Sequence, residues 1–308
     1  MPVDPQFEAV LKQAAAAGLP PFHTLTPVQA RALYAQLMAL PDRPMPVVHV
    51  ADQMVPGPAG ELPVRIYRPG MDGRRPVLTY FHGGGWTVGD LASDDWLCRR
   101  LAVGADAVVV SVDYRRAPEQ PFPAALNDAV AGYLWAREHA GEIGGDGGRV
   151  AVGGWSAGGN LAAAACLELR GENVPAAQVL LTPAVDATMA LPSHTENATG
   201  FGLDAMTGRW FVENYVPDPA QRSHPLVSPL AAVDLCGLPP AVVYTAEYDV
   251  LRDEGEAYAH RLEQAGTKVI AKRVEGLDHL FHLHTAVVDA AADAVDQLIA
   301  DVANVLRL

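Results

Sequence analysis

The spacing of apolar residues changes several times along the chain, and each change marks a predicted element. Ala30, Leu33, Leu37 and Leu40 recur at helical intervals behind Thr26-Pro27-Val28-Gln29, a capping-box start with proline at the first helical position. Pro41, Pro44 and Pro46 end that helix. Residues 47–50 open a strand, and residues 62–67 alternate in the manner of an antiparallel edge strand of a mixed sheet. The pattern then turns continuous. Residues 77–81 and 107–112 are short apolar runs separated by a helical stretch at 96–103, as expected for buried parallel strands joined by crossover helices. Further units follow: helix 124–139, strand 149–153, helix 157–169, strand 178–181, strand 241–246, helix 253–264, strand 268–274 and helix 285–305. The predicted fold class is α/β, a mostly parallel, doubly wound sheet.

One interval breaks this rhythm. Between Asp186 and Ala241 lie Met189, Leu191, Phe201, Leu203, Met206, Trp210, Phe211 and Tyr215, with residues 203–215 at helical spacing. That is too much apolar material for a solvated loop, so it either extends the core or joins the N-terminal helices as a lid.

Composition narrows the classes. The 308 residues show no linker, so one large domain is expected. Twenty-two basic against 36 acidic residues give a net charge of −14, which disfavours nucleic acid and anionic membranes as partners. The 3 cysteines, Cys98, Cys166 and Cys236, are scattered and odd in number, so they suggest neither a disulfide framework nor a zinc site. With no apolar run of membrane-spanning length and no signal-like start in residues 1–10, a soluble, cytoplasmic protein is expected.

The stretch Val150-Ala151-Val152-Gly153-Gly154-Trp155-Ser156-Ala157-Gly158-Gly159-Asn160 carries the chemistry. A β-branched run meets glycines and then strong helix formers, so the backbone must turn sharply at Ser156 and expose its hydroxyl at a helix N-terminus. The glycine run His82-Gly83-Gly84-Gly85-Trp86, directly after a strand, can aim backbone N–H groups into a cavity, as an oxyanion hole requires. Phosphate binding fits poorly, because no Lys-Ser/Thr pair closes the loop and the dinucleotide spacing is unmet. The glycines at 144–148 read as a turn into the next strand. A serine nucleophile needs a base and an acid, which in a site of this kind come from the ends of later strands. His279 follows the last strand and is preferred as base, with His282 as the alternative, while His260 reads as a surface residue. Asp249, just past the strand at 241–246, is preferred as acid over Glu247 and Asp253. A metal site at His279, His282 and His284 is disfavoured, since histidines this close more often serve packing and solvation.

Taken in order, the segment His82 to Trp86, Asp113-Tyr114-Arg115-Arg116-Ala117-Pro118-Glu119, Pro121-Phe122-Pro123-Ala124-Ala125, the serine segment, Asp249-Val250-Leu251-Arg252-Asp253-Glu254 and the His279 segment resemble the blocks of the bacterial hormone-sensitive-lipase-like esterases. The resemblance covers most of the chain. It implies an α/β-hydrolase domain over residues 1–308 with cap elements from about 1–45 and 186–216. It also implies a Ser156–His279–Asp249 triad, an oxyanion hole from the N–H groups of Gly83, Gly84 and Ala157, and no cofactor. Trp155, where the family usually has Asp or Thr, and Val250, where proline is common, depart from the pattern.

The expected activity is hydrolysis of short- to medium-chain carboxylic esters through an acyl-enzyme. An amidase or deacetylase would use the same groups, and a non-catalytic small-molecule receptor ranks below both because His279 is present. Trp86, Leu33, Leu37, Phe201, Met206, Trp210 and Phe211 are expected to bound the substrate pocket. The expected partner is a small-molecule ester, and a homodimer is compatible with the sequence.

Overall fold

The computed structural model describes residues 2–39, 46 and 48–307. The expected helix end at Leu40, the prolines at 41 and 44, the last residues of the first cap segment and the expected strand start at Val47 lie outside the described residues. The strands are β1 (His49–Gly57), β2 (Gly60–Arg68), β3 (Arg75–Phe81), β4 (Val108–Val112), β5 (Gly145–Trp155), β6 (Gln178–Leu181), β7 (Ala241–Tyr248) and β8 (Val269–Asp278). The helices are α1 (Pro5–Ala17), α2 (Pro27–Met38), α3 (Asp95–Gly104), α4 (Ala124–Glu138), α5 (Ala157–Glu168), α6 (Ser193–Glu196), α7 (Ala205–Tyr215), α8 (Arg252–Gln264) and α9 (Asp289–Val305).

All eight strands form one sheet in the order β1-β2-β4-β3-β5-β6-β7-β8. The β1–β2 and β2–β4 pairings are antiparallel and every later pairing is parallel, so the mixed edge and parallel centre are as predicted. Successive side chains of a strand point to opposite faces, which explains the continuous apolar runs. In β4, Val108, Val110 and Val112 enter one core with Tyr133 of α4 and Leu161 of α5. Val109 enters the other core with Leu97 of α3 and Leu298 of α9.

Several boundaries differ from the pattern-based expectation. Helix α1 had no predicted bounds because only Phe7 of its residues is buried, yet Asp4 caps it by accepting from the amides of Gln6 and Phe7. Strand β1 runs on to Gly57 with mostly exposed side chains, so hydrogen bonding to β2 defines it where apolar alternation does not. The glycines at 145–148 belong to β5, whose Gly145 pairs with Arg75 of β3, and a Cβ there would sit 2.3 Å from Val77. Helix α9 starts at Asp289, after a turn that replaces the expected first residues from 285.

The long insertion does two things. Its later part extends the core with Val227, Leu235 and Leu238, and the Leu230 amide donates to the carbonyl of Val185. Its earlier part carries α7 against the N-terminal segment: the rings of Phe22 and Phe211 are 6.3 Å apart, and His23 Nδ1 is 3.3 Å from Thr207 Oγ1.

Candidate active site

Ser156 sits between the last residue of β5 and the first of α5 with φ 56° and ψ −115°. A positive φ is costly for a residue with a side chain and persists only when its surroundings fix it. Here the Ser156 amide donates to Leu181 at 2.8 Å, and its carbonyl accepts from Asn160 at 3.0 Å and Ala184 at 3.2 Å. The flanking glycines are required by close approach. A Cβ on Gly158 would lie 1.9 Å from the carbonyl oxygen of Phe81, and one on Gly154 would lie 2.4 Å from the backbone of Gly158.

The structure brings the three expected polar residues into one chain of hydrogen bonds. His279 Nε2 is 3.0 Å from Ser156 Oγ, and His279 Nδ1 is 2.8 Å from Asp249 Oδ2. All three are nearly excluded from solvent, with Ser156 at 7%, His279 at 3% and Asp249 at 1% exposure. The second carboxylate oxygen of Asp249 accepts from the Leu251 amide at 3.0 Å, and Asn197 Nδ2 donates to the Asp249 carbonyl at 2.9 Å. The rival residues lie elsewhere. His282 packs edge-on against Trp155 at 4.3 Å, His284 lies against Phe7, and Asp253 accepts from the Ser193 amide. Glu247 accepts from the Gly276 amide, and His260 is exposed beside Gln264. Val250 is fully buried, and its carbonyl accepts from Ser193 Oγ.

The glycine loop after β3 is folded back over this chain. The Gly84 carbonyl accepts from the amides of Thr87 and Val88, with Gly84 at φ 108°, where a Cβ would strike Val88. His82 stacks on Tyr114 at 4.2 Å and donates from Nδ1 to the Gly83 carbonyl at 2.7 Å. Burial holds His82 down to about 4, so it is neutral near pH 7. Of the three amides expected to receive an oxyanion, that of Ala157 opens α5 and so lacks an intrahelical acceptor. The Gly84 amide meets no acceptor among the described residues. The Gly83 amide differs, because it donates to Asp94 Oδ2 at 3.3 Å. Asp94 also accepts from Tyr80 at 2.9 Å, and burial pushes its carboxyl up to about 6.

Trp155 fills the space beneath the loop. A Cβ on Gly83 would lie 2.2 Å from its indole, and its ring is 5.5 Å from that of His279. The departure from the family pattern therefore supplies the surface on which both loop and imidazole rest.

Two cavities open at Ser156, and both are bounded by Phe211. The Phe211 ring lies directly on Gly85, where a Cβ would be 2.1 Å from it. Trp86, stacked on Tyr215 at 4.3 Å, and Leu37 also reach the lining. The other four expected pocket residues are not among the lining residues. Met206 is 57% exposed, Phe201 stacks on Tyr248, Trp210 packs beside Phe211, and Leu33 is half-buried away from the cavities. On α2 the inward stripe is Ala30, Tyr34, Leu37 and Met38, so Leu33 is rotated about 100° from its neighbour Tyr34. Tyr34, Met38, Phe22, Leu203 and Met189 were missed as lining residues, and of these Tyr34, Met38 and Leu203 lie in or beside stretches of helical spacing.

A family described as alpha/beta hydrolase fold matches residues 78–283, which include Ser156, Asp249 and His279. The chain belongs to this family. Among its relatives, the carboxylic ester hydrolase LipN of Mycobacterium tuberculosis is 47% identical over 248 residues, 77% of this chain and 66% of that protein, just under two thirds of its length. An arylesterase of Saccharolobus solfataricus is 38% identical over 283 residues, 91% of this chain and 92% of the relative. A solved thermostable esterase from Pseudomonas putida ECU1011 superposes with a TM-score of 0.95 at 38% identity, covering 100% of this chain and 98% of the other. The hormone-sensitive-lipase-like resemblance of the α/β-hydrolase chain thus holds along its length. Among the described residues, no helix is long and apolar enough to cross a membrane.

Proposed function

We propose that the protein is a serine carboxylesterase in which Ser156 attacks the ester carbonyl, His279 moves the proton and Asp249 orients the imidazole. The observation carrying this reading is the continuous chain from Asp249 through His279 to Ser156 at 2.8 and 3.0 Å. Ser156 Oγ bonds to the carbonyl carbon while His279 Nε2 takes its proton. The resulting oxyanion is received by the amides of Ala157 and Gly84, with Gly83 shared between it and Asp94. Collapse returns the proton from His279 to the leaving alcohol. Water then gives a proton to His279 and attacks the acyl carbon, and as the acyl–Oγ bond breaks His279 returns that proton to Ser156 Oγ and the acid is released.

The α2 and α7 segments act as a cap over this site, supported by the seating of Phe211 on Gly85 and of Phe22 against Phe211. Small esters at the short end of the expected short-to-medium acyl range are the proposed substrates, and the named activities of the relatives support carboxylic ester hydrolysis. A reducing cytoplasm suits the free Cys98, Cys166 and Cys236, the last of them exposed. Comparison of His279→Ala with His282→Ala on p-nitrophenyl butyrate tests the assignment. Loss of turnover by at least about a hundredfold is expected in the first alone. Loss in the second alone would contradict it.

A further inference from the structure

The two cavities at Ser156 are unequal, and only one of them touches the imidazole. The wider, about 140 Å³, is lined by His279, Phe22, Tyr34, Leu37 and Met38. The narrower, about 30 Å³, is lined by Trp86, Ala157, Met189 and Val212, and it includes the buried residues His194 and Glu254. His194 Nε2 lies 2.9 Å from Glu254 Oε2, and Glu254 Oε1 accepts from the Val185 amide at 2.7 Å.

Resting on the esterase reading above, we infer that the wider cavity takes the alcohol and the narrower one the acyl group, so the preferred substrates are very short acyl esters of larger apolar alcohols. The leaving oxygen must collect its proton from His279 Nε2, which lies 3.0 Å from Ser156 Oγ. The alcohol chain attached to that oxygen therefore departs on the imidazole side, where the wider cavity lies. The acyl chain hangs from the opposite side of the same carbonyl carbon and enters the cavity without His279. The acyl side thus offers less than a quarter of the space found on the alcohol side, about 30 against about 140 Å³. Polarity reinforces size. An alkyl chain pushed deeper on the acyl side would meet the His194–Glu254 pair, whose desolvated groups gain nothing from methylenes. On the alcohol side, rings and aliphatic side chains reward each added methylene by about 0.8 kcal/mol.

Isomeric esters test this without changing overall hydrophobicity. Hexyl acetate and ethyl hexanoate have the same composition, with the long chain on the alcohol in one and on the acid in the other. In the parent enzyme kcat/KM should favour hexyl acetate by on the order of tenfold or more. Met189→Ala should narrow that ratio by admitting longer acids, and Leu37→Ala should narrow it by weakening the longer alcohol. Equal rates, or preference for ethyl hexanoate, would overturn the partition while leaving the esterase reading intact. Failure to hydrolyse either ester, together with no labelling of Ser156 by a fluorophosphonate, would overturn the esterase reading and the partition with it.

Discussion

Trp155 shows how one side chain next to the proposed nucleophile can serve the loop above it. Its indole underlies Gly83, neighbours His279 and meets His282, so removing it empties the space beneath one expected oxyanion amide and beside the expected base. Trp155→Ala should cost about 3–5 kcal/mol of stability, as large-to-small core changes do, and should lower kcat more than it raises KM. Denaturant unfolding and steady-state kinetics on one preparation check this, and unchanged kcat would show that the loop holds itself. Asp94 permits a prediction with a sign. Its carboxyl is raised from 3.8 to about 6 by burial. Below pH 3.8 it is protonated in both the folded and unfolded chain, and its full contribution to stability is present. As pH rises to and through about 6 that contribution is lost, a change of about 3 kcal/mol. Asp94→Asn should therefore gain stability relative to the parent between about pH 4 and 7, measured by urea midpoints, and a constant difference would refute the assigned burial effect. The meeting of Ser156, Asp249 and His279 was legible because strand ends and glycine spacing constrain where they can lie. The engagement of the Gly83 amide by Asp94 was not legible, because it joins two segments that no local pattern connects.

Elements were readable in proportion to how much apolar surface they bury. Strands β3, β4 and β6 and helices α4, α5 and α8 were found close to their observed bounds, since each buries a continuous run or a helical stripe, whereas β5 begins four residues earlier and β8 ends four residues later than expected. Helix α1 was not bounded and strand β1 was expected only over residues 47–50, because their side chains are largely exposed and backbone pairing or capping defines them. The same limit misdirected the pocket list: Met206 and Trp210 are apolar residues of α7, yet the apolar α7 residues that line the cavities are Phe211 and Val212. The α2 helix is fastened to the loops after β3 and β4 by Arg31, which donates to the carbonyls of Thr87 and Ala117 at 2.9 Å and to the carboxylate of Glu119. Arg31→Ala should cost about 1–3 kcal/mol, speed amide exchange in α2 and raise KM for esters of longer alcohols. Unchanged exchange in α2 would show that its apolar contacts suffice.

At the scale of the whole molecule, two cores on either face of one twisted sheet hold distant segments in register, and the site forms where the strand ends converge. Ser156 and His279 are 123 residues apart in sequence yet share a hydrogen bond, so the order of strands in the sheet has to be right before the chemistry exists. The net charge of −14 adds a long-range field that favours neutral over anionic substrates. A matched pair of neutral and carboxylated esters should accordingly differ most at low ionic strength, and an unchanged ratio with added salt would argue against steering. The most direct test of the central claim is Ser156→Ala, with intact-mass measurement after fluorophosphonate treatment and turnover of p-nitrophenyl acetate on the same sample. The account predicts a normally folded variant, no added mass, and activity reduced on the order of a thousandfold or more while the parent gains one label per chain. Retained labelling or retained turnover in the folded variant would contradict it.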